Sequence, residues 1–410
     1  MTAPSATAEP VARVGPRWLV GLSLAVGATF VGWYGPLQIL LARQAQDIAP
    51  DGKEALLAVV AGAGAVVSMV ANPLWGALSD RTLARFAARH GRRAPWVLLG
   101  STTGALALLL LGLADGVAWL ILGWCLVQLV LNASLAALTA AVPDLVPTAQ
   151  RGAAGGWIGV ATIVGVVVGT GLAIAGIGFA GTFGGYLLCA AVVLLVSVPF
   201  LRWHGGATSA KPTPAGPVLR GLWIDPRAHP DFGWAWLTRF LMNLGNALAL
   251  LYLLYFLTDE VRVADPEGGV LLLTGVNAVA VLATGLWSDR TGRRRVFVTG
   301  SGVLMAAAAV LLAVAPVWPM VVLAAVVLGI GFGTYTSVDF ALITQVLPAA
   351  ANRGKDLGVI NIANTLPQVL APVFAGVIVS AFGGYPALYA TAAVVALAGA
   401  VLVYRIRSVR

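Results

Sequence analysis

Twelve apolar stretches, each long enough to cross a bilayer as a helix, follow one another along this 410-residue chain. They run 18–42, 55–79, 95–113, 117–142, 153–178, 183–201, 234–257, 268–287, 296–314, 318–346, 357–380 and 386–404. A hydrocarbon core of roughly 30 Å takes about 20 residues of helix. Lipid offers backbone amides no partner, and the runs are continuous instead of alternating, so helices are expected and strands are not. The pattern predicts an all-α membrane protein with twelve transmembrane helices. Only 10% of the residues are charged against 59% hydrophobic, too few charges for a water-soluble domain.

The formal net charge is +9, which raises the question of a nucleic-acid partner. The placement of the charge answers it. If the N-terminus is cytoplasmic, 21 of the 25 Lys and Arg residues fall on cytoplasmic segments, three (Arg43, Lys53 and Arg262) fall outside, and Arg239 lies within a span. That asymmetry is the positive-inside pattern, which sets orientation and faces anionic lipid. The expectation is a multi-pass protein of the cytoplasmic membrane with both termini inside, in contact with membrane lipid and not with nucleic acid. Residues 1–16, rich in Ala, Pro, Ser and Thr, read as a disordered cytoplasmic tail without a signal-peptide cleavage pattern.

The longest polar segment divides six spans from six. It contains Gly205-Gly206, Lys211-Pro212-Thr213-Pro214 and Asp225-Pro226-Arg227, and reads as a linker over 203–232. The two halves, 17–202 and 233–410, then form pseudo-symmetric six-helix bundles. Their kinship is visible in a repeated signature, Gly76-Ala77-Leu78-Ser79-Asp80-Arg81-Thr82 and Gly285-Leu286-Trp287-Ser288-Asp289-Arg290-Thr291. Pro147 with Arg151-Gly152 is likewise echoed by Pro348 with Arg353-Gly354. Internal repeats of this kind characterise secondary transporters, whose solute sites lie at the repeat interface near the midplane. One chain already holds both halves, so a monomer is expected.

Polar side chains inside spans are costly and should face protein or a water-filled path. The third, sixth, ninth and twelfth spans contain no Asp, Glu, Lys, Arg, His, Asn or Gln, as lipid-facing supports would. The first, fourth, seventh and tenth carry Tyr34 with Gln38, Gln128 with Asn132, Arg239 with Asn243 and Asn246, and Tyr335 with Asp339. Each set recurs at three- or four-residue spacing and therefore shares a helix face. The eleventh adds Asn361, Asn364 and Gln368. These residues are the candidate ligands of a small-molecule solute. The structural alternative is interhelical hydrogen bonding, worth about 0.6 kcal/mol per bond in membranes.

Asp339 is the only carboxylate well inside a span, about nine residues or 14 Å from its cytoplasmic end. Arg239 lies at similar depth, about 11 Å beyond Phe232. The two are expected to pair and to carry a coupling proton; the alternative for Arg239 is that it snorkels to the interface. Asp80, at the end of a helix whose terminus already bears partial negative charge, requires a cation. Arg81, Arg92 and Arg93 are candidates, and Arg290 stands beside Asp289 in the second copy. With Gly76 and Gly285 these residues are expected to lock the cytoplasmic side when the path opens outward.

The signature Gly76 to Arg81, followed by Gly91-Arg92-Arg93, resembles that of the major facilitator superfamily, and the resemblance extends over all twelve spans. Asn72-Pro73-Leu74, Ser79-Asp80-Arg81-Thr82 and Gly91-Arg92-Arg93-Ala94-Pro95-Trp96 are similar to its sucrose and glycoside cation-symporter branches. The resemblance implies alternating access driven by a proton or sodium gradient. Melibiose-type carriers bind their cation through acids in the second span, and residues 55–79 contain none, which argues against sodium at that site. Multidrug antiporters carry Gly-Pro in the fifth span, whereas this chain reads Gly165-Val166-Val167-Val168-Gly169-Thr170-Gly171.

There is no phosphate-binding loop to use ATP. No His, acidic pair or nucleophile–base set lies within the spans, so neither an enzyme nor a metal or other cofactor is expected. Cys125 and Cys189 read as apolar packing residues. The sequence thus predicts proton-coupled symport of a small polar organic solute, a sugar or glycoside leading. Its alternative is proton-coupled export of a drug-like metabolite.

Overall fold

A computed structural model describes residues 13–80, 93–203, 229–288, 294–346 and 353–406; for some of these within helices it describes the backbone alone. Two helices open the chain: α1 (Pro16–Ile48) and α2 (Lys53–Asp80). They are followed by α3 (Ala94–Gly112) and α4 (Val117–Leu145). Thr148–Leu195 is continuous in hydrogen bonding but reverses at Ala180 and Gly181, where Gly181 has φ 62° and ψ −158°. We number its arms α5 (148–179) and α6 (182–195). The remaining helices are α7 (Pro230–Leu251, continued by Leu253–Val261), α8 (Pro266–Ser288), α9 (Arg294–Val314), α10 (Trp318–Val346), α11 (Arg353–Ala381) and α12 (Gly384–Leu402).

Nine apolar helices among the described residues have membrane-spanning length, or ten if bent α7 is one span. One of them, Ala154–Arg202, has 49 residues, and a straight helix of that length would measure about 73 Å, more than twice a bilayer. It is two crossings. The arms touch so closely that a Cβ on Gly176 would lie 2.3 Å from the backbone of Gly184, so glycine is required there. Apolar Pro266–Val281, the start of α8, supplies the last, giving twelve crossings among the described residues.

Internal contacts divide the chain into two units, Met1–Gln44 with Val66–Ala215, and Ala45–Ala65 with Gly216–Arg410. The sequence boundaries kept all of 17–202 together; the structure instead assigns Ala45–Ala65 to the second unit. The cause is local packing. A Cβ on Gly376 would lie 2.8 Å from that of Ala58, and the Tyr252 hydroxyl donates to the Glu54 carbonyl at 2.7 Å. The second bundle also starts earlier, with Pro230 in the first turn of α7, where its missing N–H costs nothing. Most of the linker, 204–228, lies outside the described residues, as does the tail before Arg13.

In the first unit α1 packs on α5, and α3 on α4 and α6. Glycines let α1 and α5 approach: a Cβ on Gly165 would lie 2.5 Å from the Gly27 carbonyl oxygen, and one on Gly35 would lie 2.7 Å from that of Gly169. Such small-residue contacts are a main source of helix association in lipid, where apolar surface alone gives no drive. In the second unit α10 packs on α8 and α9, and α12 on α7 and α9.

Leu99 and Leu106 on α3 with Leu113 just past its end, Leu187 and Leu194 on α6, Val296, Val303 and Val310 on α9, and Val394 and Val401 on α12 are all exposed at seven-residue intervals. Each helix thus turns one apolar seam away from its bundle, as a lipid-facing helix must.

Two spans drawn as straight from the sequence are deformed. α1 passes through a π turn at Pro36–Leu40 and continues to Ile48, because Pro36 removes a ladder donor and its ring displaces the preceding turn. α7 bends by 46° after Leu251, and its C-terminal part ends in a π turn at Leu257–Val261. No proline causes the second break. The two bends fall at similar distances from the start of their helices, so the repeat visible in the sequence extends to backbone irregularity.

Candidate functional site

α7 presents Arg239, Asn243 and Asn246 at four- and three-residue steps, α10 presents Tyr335 and Asp339 one turn apart, and α11 presents Asn364. Packing of α7 against α10 and α11 within the second unit brings these stripes together. Arg239 Nη1 lies 2.8 Å from Asp339 Oδ2, with 15% and 11% of the respective side chains exposed. Tyr335, itself buried, donates its hydroxyl to the other carboxylate oxygen at 2.9 Å. Arg239 Nε donates to Asn364 Oδ1 at 2.6 Å. Asn243 donates to the same oxygen at 3.2 Å and to the Arg239 carbonyl at 2.9 Å.

The guanidinium is therefore held among three helices and does not snorkel to a helix end. Its two fixed contacts differ in kind: Asn364 holds it whatever the charge on Asp339, while the Asp339 contact depends on that charge. Neutralising one member of such a buried pair leaves the other uncompensated, at about 3–5 kcal/mol. The remaining predicted residues of this unit lie apart from the pair's direct contacts. Asn246 Oδ1 is buried without a hydrogen-bond partner, Gln368 is exposed, and the Asn361 side chain lies outside the described residues.

The other candidates belong to the first unit. Tyr34 stacks on Phe30 at 6.0 Å, and Gln38, within the π turn of α1, has its Oε1 3.0 Å from Thr170 Oγ1 on α5. Asn132 is 2% exposed, and its amide donates to Ser68 Oγ at 2.8 Å and the Gln128 carbonyl at 2.7 Å while accepting from Asn72 at 3.1 Å. Its bonding capacity is largely used in joining α2 to α4. Gln128 is half-buried on the same helix.

Of the signature residues, Gly76 and Arg93 are described in full, and Gly285 by its backbone within α8. Arg93 Nε donates to Asp144 Oδ2 at 2.8 Å, and another guanidinium nitrogen reaches Ser79 Oγ, one residue before Asp80. Asp144 was missed in the sequence. It sits in the last turn of α4, where the argument that demanded a cation for Asp80 applies equally. The side chains of Asp80 and Gly285's neighbours, and all of Arg81, Arg92, Asp289 and Arg290, lie outside the described residues.

A second polar cluster in the second unit was also missed. Lys53 Nζ lies 2.8 Å from Asp259 Oδ1 and 4.9 Å from the centre of the Tyr255 ring. Tyr385 donates to Asp259 Oδ2 at 2.7 Å and lies 3.4 Å from Glu54 Oε1. In the sequence Lys53 counted only as one of three exceptions to the charge asymmetry. Asp259→Asn is expected to lower stability by about 1–3 kcal/mol, since it removes a charge-assisted bond from a half-buried lysine. Thermal unfolding in detergent checks it, and Lys53→Met combined with it should add less than the two single effects.

The Major Facilitator Superfamily profile matches residues 22–274 and 236–410. No individual curated protein matches the chain significantly by sequence. Among solved structures, a nucleoside transporter superposes with a TM-score of 0.75 at 12% identity, covering 95% of this chain and 100% of that one. A POT family transporter, crystallised with a thioalcohol-conjugated peptide, gives 0.74 at 12%, covering 95% and 96%. The human organic anion transporter MFSD10 gives 0.67 at 17%, covering 95% and 100%. At these identities the likeness establishes the fold and does not carry over a substrate. A profile spanning nearly the whole chain and an all-helical fold shared along 95% of it place the protein in the major facilitator superfamily, as a multi-pass membrane transporter and not an enzyme.

Proposed function

We propose that the protein is a proton-coupled symporter of a small polar organic solute, working by alternating access in the cytoplasmic membrane as a monomer with both termini inside. The observation that carries this reading is the Arg239–Asp339 pair, the only acid and base deep within the spans. Asp339 takes up and releases the coupling proton, and Arg239 is its counter-ion. Asn243, Asn364, Asn246 and Tyr335 contribute to the solute site, with Asn361 and Gln368 elsewhere on α11. Gly76, Asp80, Arg81, Arg92 and Arg93, with Gly285, Asp289 and Arg290, close the cytoplasmic side, Arg93 fastening the end of α3 to Asp144 of α4. The sugar or glycoside reading rests on the signature residues alone, whereas the geometry of the pair bears on charge.

Purified protein in proteoliposomes, with internal pH followed during solute addition, tests the proposal. Protons should enter with solute in the wild type, and Asp339→Asn should reduce proton movement at least tenfold. Proton movement opposite to solute would instead make the protein an antiporter, and an unaltered signal from Asp339→Asn would remove the coupling role from that residue.

A further inference from the structure

We infer that the solute is a monovalent organic carboxylate, which takes the place of Asp339 on Arg239 while Asp339 carries the proton. This rests on the proton-coupled reading above and adds the charge of the cargo. The elements packed against α7 and α10 carry no Asp, Glu, Lys, Arg or His over residues 268–287, 296–314, 362–381 and 384–402. Among the described residues of the second unit, Arg239 and Asp339 therefore balance one another alone at that depth. If a proton neutralises Asp339 while a neutral solute binds, Arg239 is left as an uncompensated cation in a low-dielectric site, which is the costly arrangement for a buried pair. A carboxylate arriving with the proton removes that cost.

The local geometry suits the exchange. Both Asp339 oxygens are engaged, one by Arg239 Nη1 and the other by the Tyr335 hydroxyl, so protonation alters both contacts together. The Nε side of the guanidinium is held by Asn364, and Asn364 in turn by Asn243. Neither contact involves Asp339, so the guanidinium keeps its plane when Asp339 withdraws. A fixed guanidinium plane is the arrangement that recognises a carboxylate through paired N–H donors. A phosphate ester carries about −1.5 to −2 charges at neutral pH and would leave the site negative, so single-charge exchange favours the carboxylate.

The balance is simple. One proton adds to the Asp339 carboxylate, one solute carboxylate binds Arg239, and the occupied site has the same net charge as the empty one. On release the solute leaves Arg239, Asp339 gives up its proton on the same side, and the ion pair re-forms. No covalent bond other than O–H is made or broken, and transport is electroneutral.

Proteoliposomes containing the full-length protein test this with impermeant probes: gluconate, glucuronate and N-acetylated amino acids, against glucose, methyl glucoside and the corresponding amides. pH gradients and potassium–valinomycin potentials are imposed separately. The expected result is proton entry with at least one carboxylate and with no neutral solute, at a rate that changes less than twofold with membrane potential. In Asp339→Asn the remaining carboxylate flux should become potential-sensitive, and Arg239→Gln should lose at least tenfold in carboxylate uptake. The wild-type potential dependence decides the matter even if a variant fails to fold. A neutral solute that moves protons would overturn the carboxylate assignment and leave proton coupling intact. Carboxylate exchange without proton movement would overturn the coupling, and silence from every carboxylate would overturn the inference outright.

Discussion

Arg239→Leu is expected to lower the stability of the protein by about 3–5 kcal/mol, and Asp339→Leu by a similar amount, because each leaves the other charge alone within the bundle. The double variant should recover most of that loss, since removing both members together strands no charge. Its transport, in contrast, should remain at least a hundredfold below wild type. A thermal series in detergent, paired with uptake in proteoliposomes, separates the two roles of the pair. If the pair served only to hold α7 and α10 together, the double variant would regain transport along with stability. Asn364→Asp provides a further contrast: it adds a second carboxylate beside the Arg239 Nε and should compete for the guanidinium.

Gly165→Leu is expected to unfold the first unit or prevent its insertion, with a loss exceeding the 1–3 kcal/mol typical of overpacking. Even a single Cβ there would lie 2.5 Å from the Gly27 carbonyl oxygen and 2.9 Å from the Phe30 Cβ. Backbone occupies that space, so no rotamer change can make room. Four residues along α5, Gly169 makes the same kind of approach, with a Cβ 3.0 Å from the Val31 backbone. Gly165→Ala should therefore already lower the thermal midpoint. Gly155→Leu, on the same helix with nothing within 4 Å of its Cβ position, is the control that should not.

Much of this architecture is legible in the sequence because the bilayer simplifies the problem. A span must satisfy its own backbone, so a run of about 20 apolar residues is read as a helix without knowledge of its neighbours. The polar-free third, sixth, ninth and twelfth spans are likewise legible, and their exposed seven-residue seams accord with that reading. Arg239 and Asp339 stood out for the same reason: a charge at that depth is costly enough to require a partner.

Where the sequence misled or was silent, the deciding term was a contact between distant segments. Pro36 was visible, yet the π turn it produces depends on how the remainder of α1 packs. The break at Tyr252 has no local signal, and its hydroxyl bonds to the carbonyl of Glu54, nearly two hundred residues away. Asn132 resembled a solute ligand in the sequence, as any intramembrane amide does, and the fold commits its amide to α2 and α4.

The sequence by itself determined the number of crossings, the repeat, the supporting helices and the two charged residues that have no place in lipid. Hydrocarbon penalises each unpaired polar group individually, so those properties follow from composition along the chain. Only the tertiary structure decided that Arg239 meets Asp339 with Asn364 and Tyr335 fixing the two ends of the pair, that Arg93 reaches Asp144, and that Ala45–Ala65 packs with the second unit. Those outcomes depend on which helix faces meet, and side-chain periodicity places a residue on a face without saying which helix lies opposite.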